Sequence, residues 1–359
     1  MITDRDIARW RLRSQHLVEP YAGSAADVVR SLLAVQAENP GQSAWAVAAR
    51  TSCPREDDLG SLLEQGLVVR THVLRPTWHY VAADDIVWLL ELTAPRVLKT
   101  VDQQLRGPDG FDDSTLDRLS TDALDALGRA HLTRAGLNDV LVERGHRVSG
   151  YLLMLLVAHL ELHGLVCSGP PADGVHTYAL IADRVPSPRR LDREEALAEL
   201  ALRYVTGHGP ATERDLAYWA TLTVTDVRKG LAAAGDRLAS FEHDGRTFWH
   251  VPEEVAPTGP GHPPAHLLQI LDETYRGFQD SRWALDADGL VPRTRETAIG
   301  MALVDAQIVA AMKRTVTDAK VTFDLRPMRE VTDEELSALE AAAARYADFL
   351  DREPGLRFV

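Results

Sequence analysis

ATERDLAYWATLTVTDVRKGLAAAGDRLASFEHDGRTFWHV, residues Ala211 to Val251, is the stretch whose reading decides the fold. Thr212 predicts the N-cap of a helix running to Ala220, because a threonine hydroxyl can accept one of the free N–H groups of a first turn. Thr225 predicts a second cap, for a helix to Ala234. Leu238–Phe241 and Thr247–Val251 then read as strands around His243-Asp244-Gly245-Arg246, since Asp-Gly suits the positive φ angles of a two-residue hairpin turn. A further helix is expected just before, from Arg193 to Val205, ending at Gly207. Short helices joined by a tight turn and followed by a hairpin are the layout of a winged helix-turn-helix.

Working outward, the same order recurs. The first unit runs from Thr3 to about Val81. Thr3 and Ser24 predict caps for helices to Leu17 and through Val35, and further helices are expected at Ser43–Arg50 and Asp57–Gln65, the last ended by Gly66. Leu67–Tyr80 is rich in β-branched residues and bends at Arg75-Pro76. Asp84 opens a helix expected to stop near Pro95. The second unit predicts helices at Thr121–Arg129, Thr133–Arg144 and Ser149–His163, then strands at Leu165–Cys167 and His176–Ile181. Glu253 to Pro264 reads as a linker. Beyond it, strands are expected at Ala298–Val304, Gln307–Arg314 and Lys320–Pro327, with a last helix from Thr332 to Asp351. The expected fold is mainly α with short β-hairpins (α+β): tandem winged helix-turn-helix motifs over residues 1–100, 101–190 and 191–255, and a small C-terminal α+β domain over 265–359.

Composition bounds the function. The 359 residues are 45% hydrophobic and 26% charged, as in globular proteins. No apolar run is long enough to span a membrane, and the N-terminus has no secretory pattern, so a cytoplasmic location is expected. The net charge of −14 argues against indiscriminate nucleic-acid binding, although a local arginine-lined groove can sit on an acidic body. Cys53 and Cys167 cannot make a disulfide framework or a cluster site.

Several stretches resemble the AlkZ-type winged-helix DNA glycosylases. They are Arg13-Ser14-Gln15-His16-Leu17, Val35-Gln36-Ala37-Glu38, Val69 to His79, Gly209-Pro210-Ala211-Thr212-Glu213-Arg214-Asp215 and Leu271 to Phe278. The resemblance implies a concave face of tandem units that binds double-stranded DNA. It implies excision of alkylated purines, including bulky or crosslinked N7 adducts. No properly spaced zinc motif and no Gly-rich phosphate loop appears in the sequence, so no cofactor or metal is expected. The family's catalytic motif is Q-x-Q, or Q-x-D in a related branch. The matching residues here are Gln36, Ala37 and Glu38, so the third position departs from both patterns.

Chemistry supports a role for this pair. An N7-alkylated purine is cationic and leaves readily, so the enzyme needs a positioned water and a polar or negative group beside the developing oxocarbenium. Gln36 can hold the water; Glu38 can orient it and accept its proton. The bland alternative makes both of them solvated residues at a helix terminus. Arg70, His72, Arg75 and His79 alternate along a strand pair and are candidates for phosphate or lesion contacts, against an alternative of salt bridges and core histidines. Trp78 reads as core. Arg228 and Lys229 on the would-be recognition helix, and Arg246 at the hairpin, are DNA-binding candidates. His159, Glu161, His163 and Cys167 are read as ordinary helix-end residues rather than metal ligands. The lysines are Lys99, Lys229, Lys313 and Lys320, none near Gln36 in sequence, so a glycosylase without imine-based lyase activity is expected. A non-catalytic winged-helix DNA binder and a protein-interaction scaffold stand as alternatives, and a monomer is the default.

Overall fold

The computed structural model describes residues 2–252, 255–291 and 300–359. Thr3 caps α1 (Asp4–Ser14) in a capping box with Asp6. The chain then lays down α2 (Ala25–Leu32), β1 (Val35–Gln36), α3 (Pro40–Ala48), α4 (Asp57–Gln65), β2 (Val68–His72) and β3 (Trp78–Ala82). After α5 (Ile86–Leu105) the order repeats as α6 (Asp113–Leu127), β4 (Leu132–Thr133), α7 (Arg134–Glu143), α8 (Gly150–Leu162), β5 (Val166–Ser168) and β6 (Thr177–Leu180). The short α9 (Ile181–Arg184) leads to α10 (Arg193–His208), α11 (Glu213–Trp219), α12 (Val224–Ala234), β7 (Ala239–His243) and β8 (Arg246–His250).

Each repeat is thus helix, strand, helix, helix, hairpin. The first two share one sheet order, β1-β3-β2 and β4-β6-β5. In the third, a single bridge between Ala211 and Trp249 stands where the first strand would be. β1 and β4 have two residues each, too few for alternation to show in the sequence. The hairpin turn at Asp244-Gly245 has φ of 49° and 69°, as the dipeptide predicts.

Four local expectations are corrected. Pro95 does not end its helix but sits inside α5. An interior proline costs about 3 kcal/mol, and burial of Leu90, Leu92, Val97, Val101 and Leu105 offsets it. Gly207 likewise lies within α10, because a Cβ there would come 2.3 Å from the Ser31 carbonyl oxygen; this glycine permits α10 to cross α2 closely. α12 is capped by Thr223, not Thr225, through a bond from the Asp226 N–H at 3.0 Å. α6 starts at Asp113 rather than Thr121, because the Asp112 carboxylate accepts the Thr115 N–H at 2.7 Å.

The C-terminal part comprises β9 (Ala265–Gln269), the single turn α13 (Glu273–Arg276), β10 (Gly300–Val304), β11 (Gln307–Val316), β12 (Lys320–Pro327), α14 (Asp333–Phe349) and β13 (Glu353–Phe358). The sheet order is β13-β12-β11-β10-β9, parallel only between β12 and β13. β9 and β13 were not expected, and β13 carries a proline and a glycine that are tolerated on an edge. The strand expected at Ala298–Val304 begins at Gly300, its first two residues lying outside the described residues, as do Glu253 and Glu254 of the expected linker. The apolar face of α1 (Ile7, Ala8, Leu12) joins the core of the C-terminal sheet, together with Trp45 of α3. No helix among the described residues is long and apolar enough to cross a membrane.

Candidate active site

Gln36 ends β1, in register with His79 of β3. The ladder continues one residue further through the Ala37 N–H, which donates to the Trp78 carbonyl at 2.7 Å. Extended backbone puts residues two apart on one face, so Gln36 and Glu38 point the same way. Both line a cleft of about 830 Å³. The side-chain oxygen of Gln36 is buried and has no hydrogen-bond partner among the described residues. Glu38 is half-buried and accepts the Trp78 backbone N–H at 3.1 Å.

Around the pair the cleft is cationic. Arg75, Arg96, Arg214 and Arg276 line it, with Ala217, Tyr218, Leu222 and Val224 forming an apolar wall from the third repeat. Arg96 and Arg214 are exposed. The sequence reading missed Arg96, Arg214, Arg276 and Tyr218, which are scattered over α5, α11 and α13 and share no local pattern. None of the four lysines is among the residues lining this cleft.

One buried carboxylate assembles the floor. Glu273 accepts the Gln36 backbone N–H at 3.1 Å, the Trp219 indole N–H at 2.8 Å and the His208 ring at 3.3 Å. Arg75 lies 3.9 Å from it. Burial opposes ionisation of Glu273, yet the His208 bond and the Arg75 charge outweigh it and hold the carboxyl down to about 2. His79 is pushed down to about 3, by burial first and by Arg75 second. Neutral His79 donates from Nδ1 to the Thr77 carbonyl at 3.0 Å and accepts from Arg75 at 3.2 Å. Arg75 also donates to the Arg276 carbonyl at 2.9 Å. A parallel network joins Arg50 to Asp272 at 2.8 and 3.0 Å and to Gln15 at 2.8 Å, with Thr274 completing the circuit.

A family model described as DNA glycosylase AlkZ-like matches residues 29–349. The chain belongs to this AlkZ-like DNA glycosylase family. It is accordingly a hydrolase of N-glycosyl bonds. A relative from Streptomyces sahachiroi, an interstrand DNA cross-link repair glycosylase, is 26% identical over 276 residues, covering 71% of this chain and 72% of that protein. The fold is that of the solved Streptomyces sahachiroi DNA glycosylase AlkZ, with a TM-score of 0.77 at 21% identity over 100% of both chains.

In this AlkZ-like glycosylase the other expected contact residues fall into two groups. Arg70, His72, Arg75 and His79 are all buried, held by protein partners. Arg70 donates to the Ala37 carbonyl at 3.1 Å and lies 4.4 Å over the Trp78 ring. His72 hydrogen-bonds Glu161. Arg75 alone of the four lines the cleft. Arg228, Lys229 and Arg246 are exposed on the third repeat. Arg228 is clamped by both oxygens of Glu213 at 2.6 and 2.7 Å, and Arg246 lies 3.4 Å from Asp244 and 3.7 Å from Asp280, so part of their charge is already neutralised. Of the helix-end residues considered as ligands, Glu161 and Cys167 engage other partners, and burial pushes the Cys167 thiol up to about 12. His159 bonds Asp102 at 2.8 Å and packs against His163, their ring centres 4.4 Å apart. Arg106 stands 3.6 Å from the same Asp102 oxygen, and no metal role is assigned to this cluster.

Proposed function

We propose that the protein excises N7-alkylated and N7-crosslinked purines from double-stranded DNA, with Gln36 and Glu38 holding the attacking water. The observation that carries this reading is the cleft: the two residues share one wall of a basic hollow of about 830 Å³. In the reaction the bond from the sugar C1′ to the purine breaks, and the cationic base departs with the bonding electrons as a neutral molecule. Water oxygen bonds to C1′ and its proton passes to Glu38, leaving an abasic site. The carboxylate also stabilises the oxocarbenium as it forms. Glutamate performs the work of the family's Gln or Asp, because both roles need an acceptor near C1′ and a carboxylate adds charge and basicity. The Streptomyces sahachiroi relative is a glycosylase of interstrand cross-link repair, and the size of this cleft supports extending that substrate to this chain.

The three helix–strand–helix–helix–hairpin repeats, within residues 1–100, 101–190 and 191–255, are read as winged-helix units, and residues 265–359 as the C-terminal α+β domain. The sheet order of the first two repeats and the Asp-Gly hairpin of the third support this reading. With the first repeat, the third repeat and the C-terminal part of one chain supplying the cleft lining, a monomer acting on chromosomal DNA in the cytoplasm suffices. The absence of lysine from the cleft lining supports simple hydrolysis rather than an imine route.

The test is release of free base from duplexes carrying N7-methylguanine or an N7 crosslink. Wild type releases base, and Gln36→Ala and Glu38→Ala slow release by about 100-fold or more while still binding DNA. No release by wild type from either duplex, despite tight binding, would replace the enzyme reading with that of a non-catalytic DNA binder.

A further inference from the structure

Glu161 is a buried carboxylate that the chemistry above does not use. Its side chain is fully withdrawn from solvent. It lies in the last turn of α8, where the helix dipole disfavours an anion. Among the described residues no arginine or lysine forms an ion pair with it. Burying a carboxylate costs several kcal/mol, so one kept against both burial and the dipole calls for a functional explanation.

Its partners supply one. Glu161 accepts hydrogen bonds from the His72 ring and from the Trp78 indole N–H, the latter at 3.2 Å. The His72 ring also packs against the indole, centre to centre 4.4 Å. Trp78 is the residue whose main chain grips the catalytic segment. Its N–H donates to Glu38 at 3.1 Å and its carbonyl accepts from Ala37 at 2.7 Å. Arg70 ties the two together, stacked over the indole and bonded to the Ala37 carbonyl.

We infer that Glu161, with His72, is a positioning residue for base excision: it locks the Trp78 side chain, and through the Trp78 backbone N–H it sets the orientation of the Glu38 carboxylate. The second repeat thereby tunes a catalytic group carried by the first. This inference rests on Glu38 being the carboxylate that orients the water.

The experiment is single-turnover release of N7-methylguanine by the full chain under saturating enzyme, for wild type, Glu38→Ala, Glu161→Ala, Glu161→Gln and Trp78→Phe. Glu161→Ala and Trp78→Phe are expected to slow the rate about tenfold, with unchanged reaction amplitude and DNA affinity. Glu161→Gln keeps an acceptor for the indole and recovers most of the rate. A purely structural role would instead lower the amplitude, the fraction of active enzyme, and leave the rate of the remainder intact; that result overturns the inference. Trp78→Phe keeps the ring body and the backbone N–H, so it decides the matter if Glu161→Ala does not fold. Rates within twofold of wild type for both Glu161→Gln and Trp78→Phe, with Glu38→Ala inactive, overturn the inference alone. A fully active Glu38→Ala overturns both it and the functional reading beneath it.

Discussion

The backbone N–H of Gln36 donates to Glu273 at 3.1 Å, across 237 positions of sequence. A catalytic candidate near the start of the chain therefore rests on a carboxylate of the C-terminal part. Glu273→Ala should strip the seat from Gln36 and leave Arg75 and His208 facing a hole. Breaking a buried charged network costs about 3–5 kcal/mol. Urea unfolding should show that loss, and base release should fall even at temperatures where the variant stays folded. Wild-type stability would refute the role given to Glu273.

Acid should weaken the fold in two stages. His79 and His266 are buried and pushed down to about 3, so the unfolded chain binds their protons first. Their stabilisation is complete above pH 6.5 and is lost as pH falls from there toward 3, on the order of 2 kcal/mol per histidine by pH 5. Glu273, held down to about 2, contributes stability above its ordinary 4.5 that is lost as pH falls from there through 2. Calorimetry should therefore show Tm dropping by several degrees between pH 7 and pH 5. A flat Tm over that interval would contradict the neutral, buried state of both rings.

Arg96 and Arg214 are exposed at the cleft, whereas Arg228 is already clamped by Glu213. Replacing Arg96 and Arg214 with alanine should weaken DNA binding uniformly across sequences and flatten its salt dependence, by about 0.9 in log–log slope per phosphate contact removed. Arg228→Ala should cost far less. Fluorescence anisotropy over a salt series measures both, and equal losses would move the DNA path toward the third repeat's outer face.

Tyr218 sits on the apolar wall of the same cleft, half-buried. Extruded bases are commonly read by aromatic stacking worth about 1–3 kcal/mol. Tyr218→Phe should keep kcat/KM on a bulky N7 adduct, and Tyr218→Ala should lower it roughly tenfold. Identical values for both variants would make Tyr218 a packing residue only.

Much of this arrangement was legible in the residues. Thr3, Ser24 and Thr212 each cap the helix they predict, because capping is local chemistry. Gln36 and Glu38, singled out by the resemblance, line one cleft; their catalytic role is the proposal above. The arginines facing them were not legible, since Arg96, Arg214 and Arg276 come together only through tertiary packing. Alternation makes Arg70, His72 and His79 candidates for phosphate or lesion contacts as well as for internal pairs; both sides of β2 and β3 are buried, and alternation cannot reveal a strand covered on both faces. Gln15, Asp272 and Asp215 stood out in the sequence for their resemblance to a DNA-repair family. In the fold they knit the parts of the chain together rather than touch the cleft.

The Gln36–Glu273 bond also has a bearing on biosynthesis. A ribosome releases the first repeat long before it has made residue 273, and Gln36 has no seat in the interval. Long-range contacts of this kind form late. On the role proposed for Gln36, a nascent or truncated polypeptide should therefore release no base, and excision should begin only once the C-terminal part has folded back onto the first repeat.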